Sequence, residues 1–193
     1  MPDVRTRRRR ADAQRSVDAI LAAAHTVLSA RPDAGMEDIA AAAGLTRQTV
    51  YAHFASRDAL ITALIEGAGA ETVEAMAAAG LDTAPPIEAL QRYLELGWDL
   101  IRRHPYLLAT ALSRTPPGSE PAHRAGTEQL EQLIERGRQS GDFDRTLPAA
   151  WLAAAVIGLA HTAAGELSAG RLDADGAYAA FAESAMRVCE AAR

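Results

Sequence analysis

Apolar residues recur at helical spacing along most of this chain. Between Val17 and Leu28 they return every three or four positions, and the pattern stops before Pro32, which predicts a first helix. Two short apolar segments follow, one from Met36 to Ala43 and one from Arg47 to Phe54, with Gly44 between them. A further apolar series begins after Ser56, whose hydroxyl is expected to cap a fourth helix.

The remainder of the chain shows the same period, interrupted where Pro and Gly cluster. Loops are predicted from Asp82 to Pro86 and from Thr115 to Pro121. The spacing predicts helices over about 87–104, from Pro105, and over 122–140, 148–169 and 173–192. The alternation typical of strands does not occur, so the predicted fold is all-α with about nine helices.

Composition supports this fold, and the charge distribution divides the chain. Hydrophobic residues make up 49% of the sequence but aromatic residues only 5%, a balance that favours closely packed helices over sheets. The first 57 residues hold nine Arg and six acidic residues, or +3, whereas the remainder holds 11 and 19, or −8. The first part therefore tolerates a polyanionic partner better than the second does.

The first 12 residues carry much of that positive charge, with Arg5 and the run from Arg7 to Arg10. They lack apolar periodicity, which predicts a flexible basic arm, although a tail that only adds solubility has the same composition. We divide the chain into this arm (1–12), a first helical domain (13–57) and a second helical domain (58–193).

Cysteine usage and hydropathy predict a cytoplasmic protein. Cys189 is the single cysteine, and charged residues occupy the N-terminus where a secretory signal needs an apolar stretch. The uncharged segment from Ala149 to Gly165 is shorter than the roughly 20 apolar residues that a bilayer requires. We therefore expect a buried interface helix there and no membrane partner.

The segment from Glu37 to Phe54 has the steric pattern of a helix-turn-helix. Ala40 is small where two helices would cross, Gly44 can adopt the positive φ that reverses the chain, and Val50 and Phe54 can anchor the second helix. Short alanine-rich helices in a plain bundle could produce the same spacing, so the pattern alone leaves both structures open.

The same residues resemble the tetracycline-repressor (TetR) family. The resemblance lies in a preceding long helix, the run IAAAAGLTRQTVYAHF from Ile39 to Phe54, and SRDALITAL from Ser56 to Leu64. It covers about residues 14 to 65. It implies a homodimer that places the third helix of each subunit in successive major grooves of a palindromic double-stranded operator.

The resemblance also implies roles for seven residues in DNA binding. Thr46 would cap the third helix and meet a phosphate, or serve only as a cap. Arg47 and Gln48 would read guanine and adenine edges, and Thr49 would offer a methyl group to thymine. Backbone phosphate contacts are implied for Tyr51, His53 and Arg57, of which the first two could also be ordinary surface residues.

Two positions depart from the pattern of the resembled family. Gly35 stands where Ser or Thr usually caps the second helix, and Ala52 stands where a bulkier phosphate-contacting residue is common. Both departures weaken the expected hold on the DNA backbone, and the basic arm could compensate by entering the adjacent minor groove.

The second domain offers a candidate effector pocket and a candidate dimer interface. We expect a small, mostly apolar effector, with these lining residues: Trp98, Ile101, Arg102, Tyr106, Leu112, Trp151 and His161. Small residues in the 148–169 helix and aromatic residues in the last helix predict an interface formed by Ala154, Gly158, Thr162, Gly165, Tyr178, Phe181 and Ala185. In both sets the alternative is that these residues belong to the core of the domain.

An enzyme in the helical domain is the main alternative function. The sequence contains no HExxH, no Cys/His cluster, no Walker glycine loop and no nucleophile elbow, and its histidines are scattered. We therefore expect no catalytic residue, no metal and no cofactor. A helical protein-interaction module is a further alternative, but it leaves the helix-turn-helix pattern unexplained.

Overall fold

The computed structural model describes residues 4–104 and 120–191, and within these ranges the regular structure is helical. A single antiparallel bridge between Phe143 and Glu190 is the exception there. The eight helices described are α1 (Val4–Ala30), α2 (Met36–Ala42), α3 (Arg47–His53), α4 (Arg57–Ala78), α5 (Pro86–Arg103), α6 (Glu120–Ser140), α7 (Ala149–Ser168) and α8 (Ala174–Cys189). The all-α prediction is confirmed, while the helix predicted from Pro105 lies outside the described residues.

The chain divides into two compact units, Met1–Glu66 and Gly67–Arg193. The division falls inside α4, so this helix begins in the first unit and ends in the second. The boundary after residue 57, which we expected from the sequence, lies at the first residue of α4, and the division into domains stays a prediction. A loop is the usual place for a boundary, but here one continuous helix belongs to both units.

The first helix is longer than the sequence predicted. It begins at Val4, so residues 4–12, which we expected to form a flexible arm, continue the helix. Arg and Ala are good helix formers, and no apolar period is needed because Arg8 and Arg9 are exposed. Asp12 and Arg15 form an i,i+3 ion pair that favours the helix in this region.

Apolar faces of α1, α2 and α3 meet in the core of the first unit. Ile20, Ala24 and Leu28 repeat at helical spacing on α1 and are fully buried. Ile39 of α2 and Val50 of α3 are also fully buried. The core therefore fixes α3 through one face, which leaves the opposite face available to solvent.

The core of the second unit lies among α5, α6, α7 and α8. On α5 the buried residues include Leu90 and Leu94, and Trp98 stacks on Phe181 of α8 at 5.9 Å between ring centroids. Tyr93 donates a hydrogen bond to the Gly126 carbonyl oxygen at 3.2 Å, and burial raises its pKa to about 12. Burial thus disfavours the charged form of this hydroxyl, which remains a hydrogen-bond donor.

Helix α7 is long and apolar enough to cross a membrane by length and composition, but core helices of soluble proteins meet the same test. Its 20 residues exceed the uncharged stretch from Ala149 to Gly165 on which the sequence argument rested. Leu152, Ala153 and Val156 are buried, and the residues on the opposite side include exposed Trp151. This division into two faces is typical of a helix that packs on one side.

The connection between α6 and α7 is held by the buried ring of Phe143 and by a hydrogen bond to the last residue of α8. Phe143 is buried, and its backbone N–H donates to the Gly137 carbonyl oxygen at 3.1 Å. The next residue, Asp144, donates its N–H to the Cys189 carbonyl oxygen at 2.9 Å. These bonds hold the Phe143 ring against α6, where Gly137 leaves room for it.

Candidate nucleic-acid interface

The turn between α2 and α3 depends on a glycine in the left-handed region. Gly44 has a φ of +66°, as the sequence predicted. Its N–H donates to the Ala41 carbonyl oxygen at 3.2 Å, and the Leu45 N–H donates to the Ala40 carbonyl oxygen at 3.0 Å. This pair of bonds is a Schellman motif, which ends α2 and turns the chain toward α3.

The start of α2 is capped without the Ser or Thr that the resembled family usually has there. Asp38 accepts a hydrogen bond from the Gly35 N–H at 3.0 Å through Oδ2, and its Oδ1 binds Arg31 at 2.9 Å. The hydrogen bond from Arg31 is the main reason that the pKa of Asp38 is lowered, and the Gly35 N–H adds to it. Position 38 is the third residue of α2, where an acidic side chain can cap in this way, so the sequence contained a signal that we missed.

Thr46 caps α3, as predicted. Its Oγ1 accepts a hydrogen bond from the Thr49 N–H at 3.2 Å and lies 2.8 Å from Thr49 Oγ1. The two hydroxyl groups therefore share a hydrogen bond at the start of the helix. Thr49 is half-buried, and whether it contacts thymine stays a prediction.

Arg47 and Gln48 lie exposed at the leading end of α3. The Arg47 guanidinium lies over the Tyr51 ring, 5.4 Å from its centroid, and its Nη1 is 3.9 Å from Glu37 Oε2 on α2. Tyr51, through hydrogen bonding and charge, and the carboxylate of Glu37 raise the pKa of Arg47. The guanidinium thus lies between a carboxylate of α2 and an aromatic ring of its own helix. The contact between Glu37 and Arg47 was not predicted from the sequence pattern.

Farther along α3, the side chains differ in exposure. Tyr51 is 40% exposed, Ala52 is exposed, and His53 is half-buried. Val50, which directly precedes these three residues, is fully buried and anchors the helix, as predicted. Tyr51 therefore presents its ring to solvent and to Arg47, and the phosphate contacts predicted for Tyr51 and His53 stay predictions.

Arg57 has a structural role that was not predicted from the sequence. Its Nε donates to the Ala34 carbonyl oxygen at 3.0 Å, and its Nη2 donates to the carbonyl oxygen of Pro32. Both acceptors lie in the loop between α1 and α2, so the guanidinium ties that loop to the start of α4. Ser56 caps α4, as predicted, by accepting from the Ala59 N–H at 3.1 Å. A phosphate contact by Arg57 would have to use its remaining N–H groups.

The structure does not gather the predicted effector-binding residues into one pocket. Trp98 is 4% exposed within the core, whereas Trp151 is 63% exposed, so the two rings do not line one enclosed cavity. Ile101 and His161 are half-buried and Arg102 is exposed. Tyr106 and Leu112 lie outside the described residues. The sequence grouped these residues by domain, without knowledge of the face on which each lies, so a pocket formed by them stays a prediction.

The predicted dimer residues divide into two groups. Ala154, Gly158 and Thr162 form an exposed stripe on α7, and Gly165 continues it with partial exposure. Phe181 and Ala185 are instead buried in the core of their own chain, so they are not available to a second subunit. Tyr178 is half-buried, with its ring 6.0 Å from that of Trp98. The aromatic and small residues of α8 were compatible with either an interface or a core. In this structure the rings of Tyr178 and Phe181 pack against Trp98 of the same chain.

Comparison with known proteins identifies the helix-turn-helix. Residues 20–64 match the family model described as bacterial regulatory proteins of the tetR family. The helix-turn-helix domain of this chain belongs to the TetR family. The matched residues include α2, the Gly44 turn and α3, so the resemblance stated from the sequence is confirmed.

Relatives of this chain are described as regulators. An uncharacterised helix-turn-helix-type transcriptional regulator of Mycobacterium tuberculosis (strain H37Rv) is 34% identical over 113 residues, which are 57% of this chain and 56% of that protein. The match thus spans only about half the length of the relative. Its description as a regulator agrees with the prediction of a chain that is not an enzyme.

Solved structures share the fold over most of the chain. A putative TetR-family transcriptional regulator from Rhodococcus sp. superposes with a TM-score of 0.75 at 18% identity, covering 90% of this chain and 98% of that one. The TetR-like regulator LfrR from Mycobacterium smegmatis, solved in complex with proflavine, gives 0.66 at 26% identity, with coverage of 89% and 94%. The two-unit helical layout is therefore that of TetR-family structures.

Proposed function

We propose that this chain regulates transcription by binding a palindromic operator as a homodimer, most simply as a repressor. The observation that supports this most directly is the leading end of α3. There Arg47 and Gln48 are exposed while Val50 behind them is fully buried. A short helix held by one face and presenting donors and acceptors on the other suits base edges in a major groove.

Replacement of Arg47 tests this function. We expect Arg47→Ala to weaken binding to the preferred operator by about 5- to 150-fold, because a bidentate contact to guanine discriminates strongly against other bases. The loss should fall on one base position in each half-site. The measurement is fluorescence anisotropy with duplexes that carry every base at each position, at fixed salt concentration.

Tyr51→Phe serves as the comparison for Arg47→Ala. It removes one hydroxyl and keeps the ring under Arg47, so a lost phosphate contact should weaken binding to all duplexes alike. An equal loss across all duplexes for Arg47→Ala would contradict its role in reading a base. If the wild-type chain prefers no sequence, the proposed function is wrong.

We also propose that the dimer forms through the exposed face of α7. Ala154, Gly158 and Thr162 are small and exposed, and Trp151 at the start of the same helix is the most exposed large apolar residue among those described. Small residues allow two helices to approach closely, and an exposed Trp suits the centre of an interface. The α7 face of one subunit would pack on the same face of the other about a twofold axis.

A small, mostly apolar molecule is proposed to release the operator. The complex of LfrR with proflavine supports a ligand site in a protein of this fold. If ligand binding weakens DNA binding tenfold, DNA must weaken ligand binding tenfold, which is about 1.4 kcal/mol of coupling. Helix α4 is a suitable connection because it begins beside the DNA-binding elements and ends in the second unit.

Trp98 gives a reporter for this ligand. In Trp151→Phe, the remaining tryptophan is the buried Trp98, so its emission reports on the core of the second unit. Uncharged aromatic compounds that raise the melting temperature should change this emission and weaken operator binding. Compounds that change Trp98 emission and leave operator affinity unaltered would show a site without the proposed release.

A further inference from the structure

A carboxylate lies on the surface that is proposed to face DNA. Glu37 is in the first turn of α2, and its side chain is 84% exposed. Its Oε2 lies 3.9 Å from Nη1 of Arg47, which is 63% exposed and begins α3. A negative charge at this place opposes the approach of a polyanion, so it requires an explanation if the surface binds DNA.

We propose that Glu37 is a specificity-determining residue, which holds Arg47 ready for a base edge and disfavours complexes in which Arg47 binds a phosphate. This inference rests on the proposed function. It assigns to Glu37 a role in the discrimination between the operator and other DNA.

The shape of the guanidinium explains how Arg47 can contact Glu37 and a guanine base at the same time. Arginine carries five N–H donors in a planar fork, and Glu37 Oε2 lies 3.9 Å from one of its nitrogens, Nη1. The guanidinium carbon lies 5.4 Å from the centroid of the Tyr51 ring, and hydrogen bonding to Tyr51 engages one further donor. Arg47 can therefore bind O6 and N7 of guanine through the other donors while Glu37 stays beside it.

Contact with a phosphate has a different consequence. A phosphate bound by Arg47 comes close to the carboxylate of Glu37, and the two negative charges repel each other. If Arg47 moved toward the DNA backbone, the carboxylate of Glu37 would lie near the phosphates without its ion-pair partner, which also disfavours binding. Non-specific complexes, which depend almost entirely on phosphate contacts, are therefore weakened more than the operator complex.

The neighbouring acidic residue does not share this role. Asp38 accepts from both Arg31 and the Gly35 N–H, so its carboxylate is engaged in capping α2. Glu37 has its ion pair with Arg47, across the turn. Asp38 and Glu37 are adjacent in the sequence. In the structure Asp38 caps α2, whereas Glu37 faces Arg47 on α3.

The test compares Glu37→Gln with Asp18→Asn in the full-length chain. Asp18 lies exposed on α1 and accepts from Gln14 at 2.8 Å, a bond that an Asn oxygen can also accept. Both variants remove one negative charge from the same unit, so their general effect on DNA attraction is shared. The probes are a duplex selected from random DNA by the wild-type chain and a scrambled duplex of the same composition.

We expect Glu37→Gln to tighten binding to the scrambled duplex by about two- to fivefold more than Asp18→Asn does, the range that an exposed charge pair supports. The ratio of operator affinity to scrambled affinity should fall by a similar factor. In an Arg47→Ala background, the same change should leave that ratio unaltered, because the partner of Glu37 is absent. Glu37→Asp keeps the charge and should keep most of the discrimination.

Three results would overturn the inference. The first is equal behaviour of Glu37→Gln and Asp18→Asn on both duplexes. The second is a changed preference at a base that Arg47 does not read, with scrambled binding unaltered, which would make Glu37 a direct reader. The third is an equal loss of discrimination in Glu37→Asp and Glu37→Gln together with lower melting temperatures, which would assign Glu37 to the fold. A wild-type chain that selects no sequence would instead contradict the proposed function.

Discussion

Gly137→Ala is expected to destabilise the second unit by about 1 to 3 kcal/mol, the typical effect of overpacking a core. A Cβ at this position would lie 2.5 Å from Cε2 and 2.8 Å from Cγ of Phe143, and closer still to Cδ2. The ring cannot move away easily, because Phe143 is 1% exposed and its N–H is bonded to the Gly137 carbonyl oxygen. Urea denaturation followed by circular dichroism measures the change.

Gly97→Ala is the matched control for this substitution. Gly97 is also inside a helix, but a Cβ there would meet nothing within 4 Å. Alanine favours a helix over glycine by up to about 1 kcal/mol, so this variant should be more stable than the wild type. Gly137→Ala combined with Phe143→Leu should lose less stability than the two single losses predict together. An unchanged stability in Gly137→Ala would show that the Phe143 ring is free to shift.

Gly158→Leu is expected to convert the proposed dimer to monomers. Within one subunit a Cβ at position 158 would meet nothing within 4 Å, so the substitution should leave the fold of the monomer intact. In the proposed interface, however, a leucine would force the two α7 helices apart. Overpacking by about 1 to 3 kcal/mol raises the dissociation constant of the dimer by about 5- to 150-fold.

Sedimentation at several protein concentrations measures this dissociation. Ala22→Leu adds a leucine to an exposed position of α1 and serves as the control for added apolar surface, so it should stay dimeric. Operator binding by Gly158→Leu should weaken as well, because a monomer reaches only one half-site. A fully dimeric Gly158→Leu at low concentration would mean that the stripe of Ala154, Gly158 and Thr162 faces solvent.

The DNA-binding unit could be predicted from the sequence because its signals are local. The positive φ at position 44 favours a glycine. Thr46 and Ser56 cap helices that begin one residue later. Val50 is buried where the helical period predicts an apolar residue. Each of these depends on residues only a few positions away in the chain. The roles of Glu37 and Arg57 were missed because their partners lie 10 and 23 or more residues away.

Sequence alone determined that the chain is helical, where most helices begin and end, and that a TetR-family helix-turn-helix lies near the N-terminus. Only the tertiary structure decided which face of each helix is buried in the second unit. On α5, polar residues alternate with apolar ones at helical spacing, so its buried face could be predicted from the sequence. Helix α7 is apolar on nearly every side, and its pattern could not show that Leu152 and Val156 are buried while Trp151 is exposed. The physical reason is that hydrophobic periodicity marks a face only where polar residues mark the opposite one.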